Sequence, residues 1–309
     1  MRRFLKKALS GLFQKRSSEK NVFPLPWNND PVISGYRTPD VISMTELVRR
    51  YPEPSDEDYL KKLEELRARA HEVTGQTDYI QDHSRRFHEL IRAVCFMLSG
   101  KKAPVILDVG VSLFSCLYRC FIPDVFLITL DRPVPPDYPG FRCDVVERLI
   151  GSNIHIELDL TTSLPHEHPE LALYANRIDL VVFTEVLEHL DAHPVPLLES
   201  FRNLLAPDGW LYLTTPNFFR KENLIKLMNG ENPLPCYPPG DGNWDAHHHH
   251  REYTMKELLT FATSAGLEVR AFYASDCWDS PDDVLPEEHR SNLVLILCKP
   301  HFLNGLFMA

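Results

Sequence analysis

Two segments of the chain carry carboxylates and imidazoles at spacings that could do chemistry. Glu185, Glu188 and His189 stand at positions i, i+3 and i+4, which on a helix would place all three side chains on one face. Four consecutive histidines, residues 247–250, follow further along the chain. Two carboxylates with two imidazoles form a mixed ligand set that suits Mg²⁺, Mn²⁺ or Zn²⁺. Without a metal, His189 or one of the four histidines is a candidate general base, and Glu188 with His189 would otherwise only cap and orient the helix.

A second group of polar residues follows the apolar runs of the chain. The first run ends in Asp108-Val109-Gly110, the second in Asp131, the third in Asp159 and the fourth in Thr184-Glu185. Ligands of an open parallel sheet bind beyond the carboxyl ends of its strands, so these residues are expected to share one site. Asp131 lies about 20 positions after the first glycine, where a carboxylate is suited to accept the hydroxyls of a ribose.

The elements that must position these residues can be predicted from the hydrophobic pattern. After Gly100, short β-branched runs alternate with helical stretches, which predicts an α/β fold with a parallel sheet covered on both faces. The connection 274–292 has no clear helical pattern, which favours an antiparallel last strand. Two helices are predicted before the sheet, one from Ser55 to about Val73 and one that ends near Leu98. The predicted strands are Val105–Val109, Val125–Leu130, Asn153–Leu158, Ile178–Phe183, Trp210–Thr214, Leu267–Tyr273 and Leu293–Cys298.

The same patterns divide the chain into segments. Residues 1–20 are predicted to form a basic amphipathic helix, residues 21–54 a linker, residues 55–102 a helical extension and residues 103–300 the sheet-containing domain. Within that domain, residues 216–252 are rich in proline and glycine. They are predicted to be an insertion that covers the acceptor or, alternatively, a long surface loop.

The distribution of charge limits the classes of partner. The net charge of −10 disfavours a protein that coats nucleic acid, because such a protein needs a basic face. Residues 1–20 carry seven Lys or Arg and one Glu, which leaves a charge of −16 for the rest of the chain. The apolar stripe and basic residues of segment 1–16 predict either peripheral contact with an anionic membrane or packing on the protein itself or a partner subunit.

The apolar runs and the cysteines indicate the cellular compartment of the protein. No run reaches the roughly 18 apolar residues of a membrane-spanning helix. The seven cysteines include no CxxC pair, which favours free thiols in a reducing compartment over a disulfide framework or a zinc knot. We therefore expect a cytoplasmic protein, with the inner face of the membrane as the place of any peripheral contact.

Six segments, in this order and spacing, give the chain a family resemblance. They are ILDVG, ITLD, IELDL, IDLVVFTEVLEHL, PDGWLYLTTPN and REYTMKELLTFATSAGL. From about Pro104 to Pro300 the chain resembles the class I S-adenosylmethionine-dependent methyltransferases, and within them the ubiquinone-biosynthesis-like small-molecule O-methyltransferases. The resemblance implies a Rossmann-like seven-stranded sheet with an antiparallel last strand and S-adenosylmethionine as the cofactor. It leaves the first hundred residues unexplained.

The resemblance also assigns cofactor contacts. It implies that Asp108, Gly110 and Ser112 line the methionine part and that Asp131 accepts both ribose hydroxyls. The remaining implied contacts are Asp159 and Leu160 beside the adenine, and Thr184 and Glu185 beneath the sulfonium.

One departure from the family pattern concerns the glycine-rich loop after the first strand. The loop of the family runs acidic-x-Gly-x-Gly-x-Gly, whereas Ser112 and Phe114 replace the second and third glycines here. The Phe114 ring would add bulk where a helix begins beneath the cofactor. It therefore favours an alternative in which the fold is a catalytically degraded scaffold or binding module.

The resemblance extends to metal binding. Some relatives with an ExxEH segment, among them small-RNA-terminal and ubiquinone-pathway methyltransferases, bind a metal there, and others are metal-free. Alignment with the small-RNA-terminal methyltransferases nominates His249 as a ligand beside Glu185, Glu188 and His189. We therefore predict methyl transfer to oxygen, with His189, His249 and Glu185 as catalytic candidates and a small-molecule, glycan or lipid-linked acceptor. A metal-dependent RNA-terminal methyltransferase is a second alternative, which the charge of the body disfavours.

Overall fold

The computed structural model describes residues 54–74, 78–133, 149–234, 248–275 and 287–300. The predicted basic helix of residues 1–20 and nearly all of the predicted linker lie outside these residues, as does His247. No helix among the described residues is long and apolar enough to span a membrane.

The seven predicted strands form one sheet in the order β3-β2-β1-β4-β5-β7-β6. β7 pairs antiparallel with both of its neighbours, and the other pairs are parallel, so the predicted fold and the antiparallel last strand are confirmed. The strands are β1 (Val105–Val109), β2 (Phe126–Asp131), β3 (Ile154–Glu157), β4 (Ile178–Thr184), β5 (Leu205–Pro216), β6 (Glu268–Ser275) and β7 (Asn292–Cys298).

Seven α-helices accompany the sheet in the described part of the chain. They are α1 (Asp56–Thr74), α2 (Asp78–Met97), α3 (Leu117–Phe121), α4 (Pro169–Ala172), α5 (Pro194–Leu204), α6 (Lys221–Met228) and α7 (Met255–Ser264). The two helices predicted before the sheet are therefore present as α1 and α2.

The continuous apolar runs of the strands follow from burial on both faces of the sheet. Alternate residues of a strand point to opposite faces, so Ile106 faces one hydrophobic cluster and Leu107 the other. The first cluster also contains apolar residues of α1, α2 and α3, and the second contains those of α5 and α7. The helices of the predicted extension thus form part of the layer that covers one face of the sheet.

The prediction of a helix that carries Glu185, Glu188 and His189 on one face is wrong. Only a 3-10 turn, Leu187–His189, follows β4, and α5 begins at Pro194. A proline disfavours helical conformation in the residue before it but fits the first turn of a helix, so Pro194 sets where α5 begins.

The insertion of residues 216–252 contains a helix that the sequence analysis did not predict. α6 follows β5 closely, and the two ends of the insertion are joined by a parallel bridge between Asn217 and Tyr253. Residues 235–247 lie outside the described part.

Candidate active site at the carboxyl edge of the sheet

Parallel pairing brings the strand ends named in the sequence analysis to one edge of the sheet. Val109 of β1 lies beside Leu130 of β2 and Phe183 of β4. Asp131 and Thr184, each one residue further along, therefore leave the sheet at the same level.

Gly110 begins the loop after β1, and two features of the structure require glycine at this position. Its φ is +81°, in the left-handed region that side chains disfavour. A Cβ atom built on it would lie 2.3 Å from Cγ2 of Val186, which follows β4. The loop after β1 and the segment after β4 therefore pack closely because residue 110 has no side chain.

Ser112 and Phe114, the two departures from the family loop, both have clear local roles. The hydroxyl of Ser112 accepts the backbone N–H of Phe114 and so caps a 3-10 turn, Leu113–Cys116. The Phe114 ring is buried and stacks face to face on Phe87 of α2, with ring centroids 3.8 Å apart and an interplanar angle of 4°. The bulk at residue 114 is thus packed against the N-terminal helices.

Two carboxyl groups at this edge are protonated more readily than usual. Asp108 is buried and accepts a hydrogen bond of 3.1 Å from the Tyr118 hydroxyl, but desolvation outweighs this and raises the pKa of Asp108 to about 7. Desolvation likewise raises the pKa of Asp131 to about 6, although the backbone N–H of Arg132 donates to it at 2.8 Å.

The residues after β3 differ from each other in exposure. Asp159 is exposed, and one of its carboxylate oxygens accepts the backbone N–H of Thr161 at 2.8 Å. Leu160 is buried in the hydrophobic cluster that contains α5 and α7.

Glu185 has a left-handed backbone, with a φ of +53°, directly after β4. Its Oε1 accepts the Thr214 hydroxyl at 2.6 Å and the side-chain amide of Asn292 at 2.9 Å. Its Oε2 lies 3.7 Å from a terminal nitrogen of Arg86, a buried residue of α2. The N-terminal helices therefore contribute a cation to this edge.

A separate cluster joins Glu188, His189 and His249, whose potential ligand atoms all lie within 4.8 Å of one another. Glu188 is buried and accepts the Thr215 hydroxyl at 2.9 Å, and desolvation raises its pKa well above the usual range. The histidine segment is held nearby because the backbone N–H of His250 donates to the Glu188 carbonyl at 2.7 Å.

Hydrogen bonds at Nδ1 fix the tautomers of the two imidazoles. Nδ1 of His189 lies 2.9 Å from the His248 carbonyl, which can only accept, so Nδ1 carries the proton. Nδ1 of His249 lies 3.1 Å from a carboxylate oxygen of Glu252 and is assigned the proton for the same reason. In the neutral form of both rings the lone pair is therefore on Nε2, and Nε2 of His189 lies 3.8 Å from a carboxylate oxygen of Glu188.

Glu252 is a second carboxyl group beside this cluster. Its side chain is completely buried and accepts hydrogen bonds from Arg220, Asn223 and His249. These partners outweigh the desolvation that opposes them and lower the pKa of Glu252 to about 2.

The residues predicted from sequence thus fall into two groups. Glu188, His189 and His249 lie together, whereas Glu185 lies outside their cluster and contacts Arg86. The strand-end residues Asp108, Gly110, Ser112, Asp131, Asp159, Leu160 and Thr184 lie in β1, β2 or β4 or in the loops that follow β1 and β3.

Sequence reasoning missed Arg86 and Glu252. Both left a signal, since Arg86 directly precedes the apolar stripe of α2 and Glu252 stands three residues after His249. The hydroxyl and amide partners, Thr214, Thr215 and Asn292, left none, because β5 and β7 read only as buried strands.

Comparison with known proteins shows that part of this chain is similar to methyltransferases. A sequence family described as a methyltransferase domain matches residues 123–271. The ubiquinone biosynthesis O-methyltransferase of Haemophilus ducreyi is 31% identical over 120 residues, which is 39% of this chain and 48% of that protein. The enzyme of the same name from Actinobacillus pleuropneumoniae is 28% identical over 119 residues, 38% of this chain and 48% of that protein. The chain thus spans about half the length of these relatives.

Among solved structures, a SAM-dependent methyltransferase from Archaeoglobus fulgidus superposes with a TM-score of 0.44 at 15% identity. The alignment covers 72% of this chain and 100% of that one. The sheet order of this chain, its antiparallel β7 and the matched methyltransferase domain agree with the resemblance of its motifs. The matched domain and the curated relatives support the class I S-adenosylmethionine-dependent methyltransferase superfamily for this chain.

Proposed function

We propose that this protein transfers a methyl group from S-adenosylmethionine to an oxygen atom of a small-molecule acceptor. The observation that carries the proposal is the position of a Glu188, His189 and His249 cluster directly after β4, at the edge of the sheet that also holds Asp108 and Asp131. The two relatives described above are O-methyltransferases of ubiquinone biosynthesis, which supports oxygen as the acceptor atom.

The residues at the strand ends fit the chemistry of the methyl donor. S-adenosylmethionine, when bound, supplies a methyl group on a positively charged sulfonium. Asp131 offers a carboxylate to ribose hydroxyls, and Gly110 lets backbone approach the ligand closely. The carboxyl groups of Asp108 and Glu185 would face the amino group and the sulfonium of the donor, and a bound cation would favour the ionised form of Asp108. Asp159 and Leu160 offer one polar and one apolar contact, as an adenine requires.

The cluster would serve the acceptor. Methyl transfer is an in-line displacement, so the protein must align the acceptor oxygen and remove its proton. Nε2 of His189 or His249 carries a lone pair that can take this proton. Alternatively, Glu188, His189 and His249 would hold Mg²⁺, Mn²⁺ or Zn²⁺, which would make an acceptor hydroxyl more acidic. We propose the metal-dependent form, because Nε2 of His189 lies 3.8 Å from the buried Glu188 carboxylate and a ring nitrogen of His249 lies within 4.8 Å of both groups. Glu185 is left out of this ligand set.

The alternatives have less support. A degraded scaffold rested on the bulk of Phe114, and that ring stacks on Phe87. RNA-terminal methylation shares the cluster but conflicts with the net charge of −10. The transfer assay described below would distinguish glycan and lipid-linked acceptors from other small molecules. Membrane contact through residues 1–16 falls outside the described residues and stays a prediction.

Donor binding and transfer can be measured separately. We expect S-adenosylhomocysteine, the demethylated product, to bind with saturable heat in calorimetry. With methyl-labelled S-adenosylmethionine and a panel of phenols, sugars and prenylated phenols, label should appear on an acceptor oxygen. His189→Ala and His249→Ala should lose transfer and keep product binding, because neither imidazole is assigned to the donor. The absence of heat with wild-type protein would contradict the proposal.

Metal removal tests the metal-dependent form. Chelation by EDTA should abolish transfer, and added Mg²⁺, Mn²⁺ or Zn²⁺ should restore it, because the cation would acidify the acceptor. Binding of S-adenosylhomocysteine should not change, which serves as the control. Full transfer by a thoroughly chelated sample would instead leave an imidazole as the base.

The Phe114 ring can be tested by restoring the glycine of the family. If the ring occupied the donor site, Phe114→Gly would strengthen S-adenosylhomocysteine binding. We expect no strengthening and a loss of stability of about 3 to 5 kcal/mol, because a buried stacked ring is removed. Phe114→Leu and Phe87→Leu, which keep apolar volume on each side of the stack, are matched controls that should bind alike. Affinity by calorimetry and stability by urea unfolding give the two readings.

Donor affinity should depend on pH through Asp131. Its pKa of about 6 means that lowering the pH protonates the carboxylate that would accept the ribose hydroxyls. The affinity for S-adenosylhomocysteine should therefore fall below about pH 6, approaching tenfold per pH unit for one linked proton. Asp131→Asn should bind more weakly at neutral pH and have a flatter profile. Parallel profiles for the two proteins would remove Asp131 from the site.

A further inference from the structure

We propose that Glu252 is a positioning residue for a divalent cation held by Glu188, His189 and His249, and that the insertion anchors Glu252. The inference rests on the metal-dependent form of the proposed function. It adds a residue that touches neither the cation nor the acceptor, and it gives the insertion a role in the geometry of the site.

The contact to the cluster is a single hydrogen bond. Nδ1 of His249 donates to Oε1 of Glu252 over 3.1 Å, and the Glu252 side chain is completely buried. A carboxylate can only accept, so the bond commits the imidazole proton to Nδ1 and the lone pair to Nε2. The same bond orients the ring. Ligating histidines in proteins are commonly held by a carboxylate or carbonyl in this way.

The other side of Glu252 is held by the insertion. Both terminal nitrogens of Arg220 donate to the two carboxylate oxygens, one of them at 2.8 Å, and Asn223 donates to Oε2 at 2.7 Å. Arg220 is the N-cap residue directly before α6, and Asn223 lies in the first turn of that helix. Asn223 also donates to the Phe218 carbonyl at 3.0 Å, which fixes its amide.

The arrangement of donors around Glu252 predicts what happens when its carboxylate is replaced by an amide. Oε2 accepts from Asn223 and Nη1 of Arg220, whereas Oε1 accepts from His249 and Nη2 of Arg220. In Glu252→Gln, the buried amide of Asn223 still requires an acceptor, so the glutamine oxygen takes the place of Oε2 and its NH₂ group takes the place of Oε1, facing His249. Nδ1 of His249 would then have to accept, which moves the proton to Nε2 and blocks that atom as a ligand. A substitution of nearly the same size therefore changes the tautomer.

His189 has a comparable but different support. Its Nδ1 donates to the backbone carbonyl of His248 at 2.9 Å, which no substitution can remove. Glu252 is thus the side chain through which the orientation of an imidazole in the cluster can be tested.

The experiment titrates Co²⁺ alone into the full chain and records the visible absorption of the bound ion. Wild-type protein should bind one Co²⁺, and His249→Ala should lose most of this binding. Glu252→Gln should bind Co²⁺ about 10 to 100 times more weakly and with an altered spectrum, because a ligand is misoriented. Its affinity for S-adenosylhomocysteine should equal that of the wild type.

Glu257→Gln is the matched control. Glu257 lies in the first turn of α7. Its carboxylate pairs with Arg251 and completes a capping box with Thr254. Glutamine serves equally well in such a box, so this variant should fold and bind Co²⁺ as the wild type does.

A purely structural role would have a different signature. Loss of the buried charge leaves Arg220 uncompensated and can unfold the insertion. The double variant Arg220→Gln with Glu252→Gln removes both charges and should recover the thermal midpoint while Co²⁺ binding stays weak. Recovery of Co²⁺ binding with the midpoint would overturn the proposal.

Two further outcomes separate this inference from the proposed function. If wild-type protein binds no Co²⁺, the metal-dependent function fails, and the inference fails with it. If wild type binds, His249→Ala does not and Glu252→Gln binds normally, the metal site stands and the role of Glu252 is overturned.

Discussion

The structure depends on keeping several carboxyl groups out of water at one edge of an apolar sheet. Desolvation raises the free energy of a buried carboxylate, and each group offsets this cost differently. Glu252 receives donors from Arg220, Asn223 and His249, and its pKa is lowered to about 2. Asp108 receives hydroxyl hydrogen bonds only, and its pKa is raised to about 7. Carboxyl groups whose desolvation is not offset gain most from a ligand with a positive charge or hydroxyl donors, and Asp108 of β1 and Asp131 of β2 are two of them.

Much of this edge could be predicted from the sequence because it follows from burial. The runs Val105–Val109 and Ile178–Phe183 are apolar except for Asp108 and Asp179, so both read as strands with both faces covered, and the polar residues that follow mark their carboxyl ends. Parallel pairing of the strands then brings these carboxyl ends to the same edge of the sheet. The segment after β4 could not be predicted in the same way, because the spacing of Glu185, Glu188 and His189 suits a helix. Pro194 shows why α5 begins later, but not that a 3-10 turn precedes it.

Contacts between segments distant in sequence were the part that patterns could not supply. Phe114 reads as an obstacle when its loop is compared with glycine-rich loops, and its role is clear only beside Phe87 of α2. Arg86, next to Phe87, reaches Glu185 from the same helix. The N-terminal helices left unexplained by the family resemblance therefore supply both the packing partner of the loop after β1 and a charge partner at the end of β4.

The insertion is coupled to the cluster by the same need to compensate buried charge. Arg220 and Asn223 of the insertion neutralise and fix Glu252, and Glu252 in turn fixes His249. The bridge between Asn217 and Tyr253 joins the two ends of the insertion. A displacement of α6 would leave the Glu252 carboxylate buried without its cation, which is costly, so α6, Glu252 and the His249 ring are expected to move together. The position of the His249 imidazole is thus tied to the position of α6.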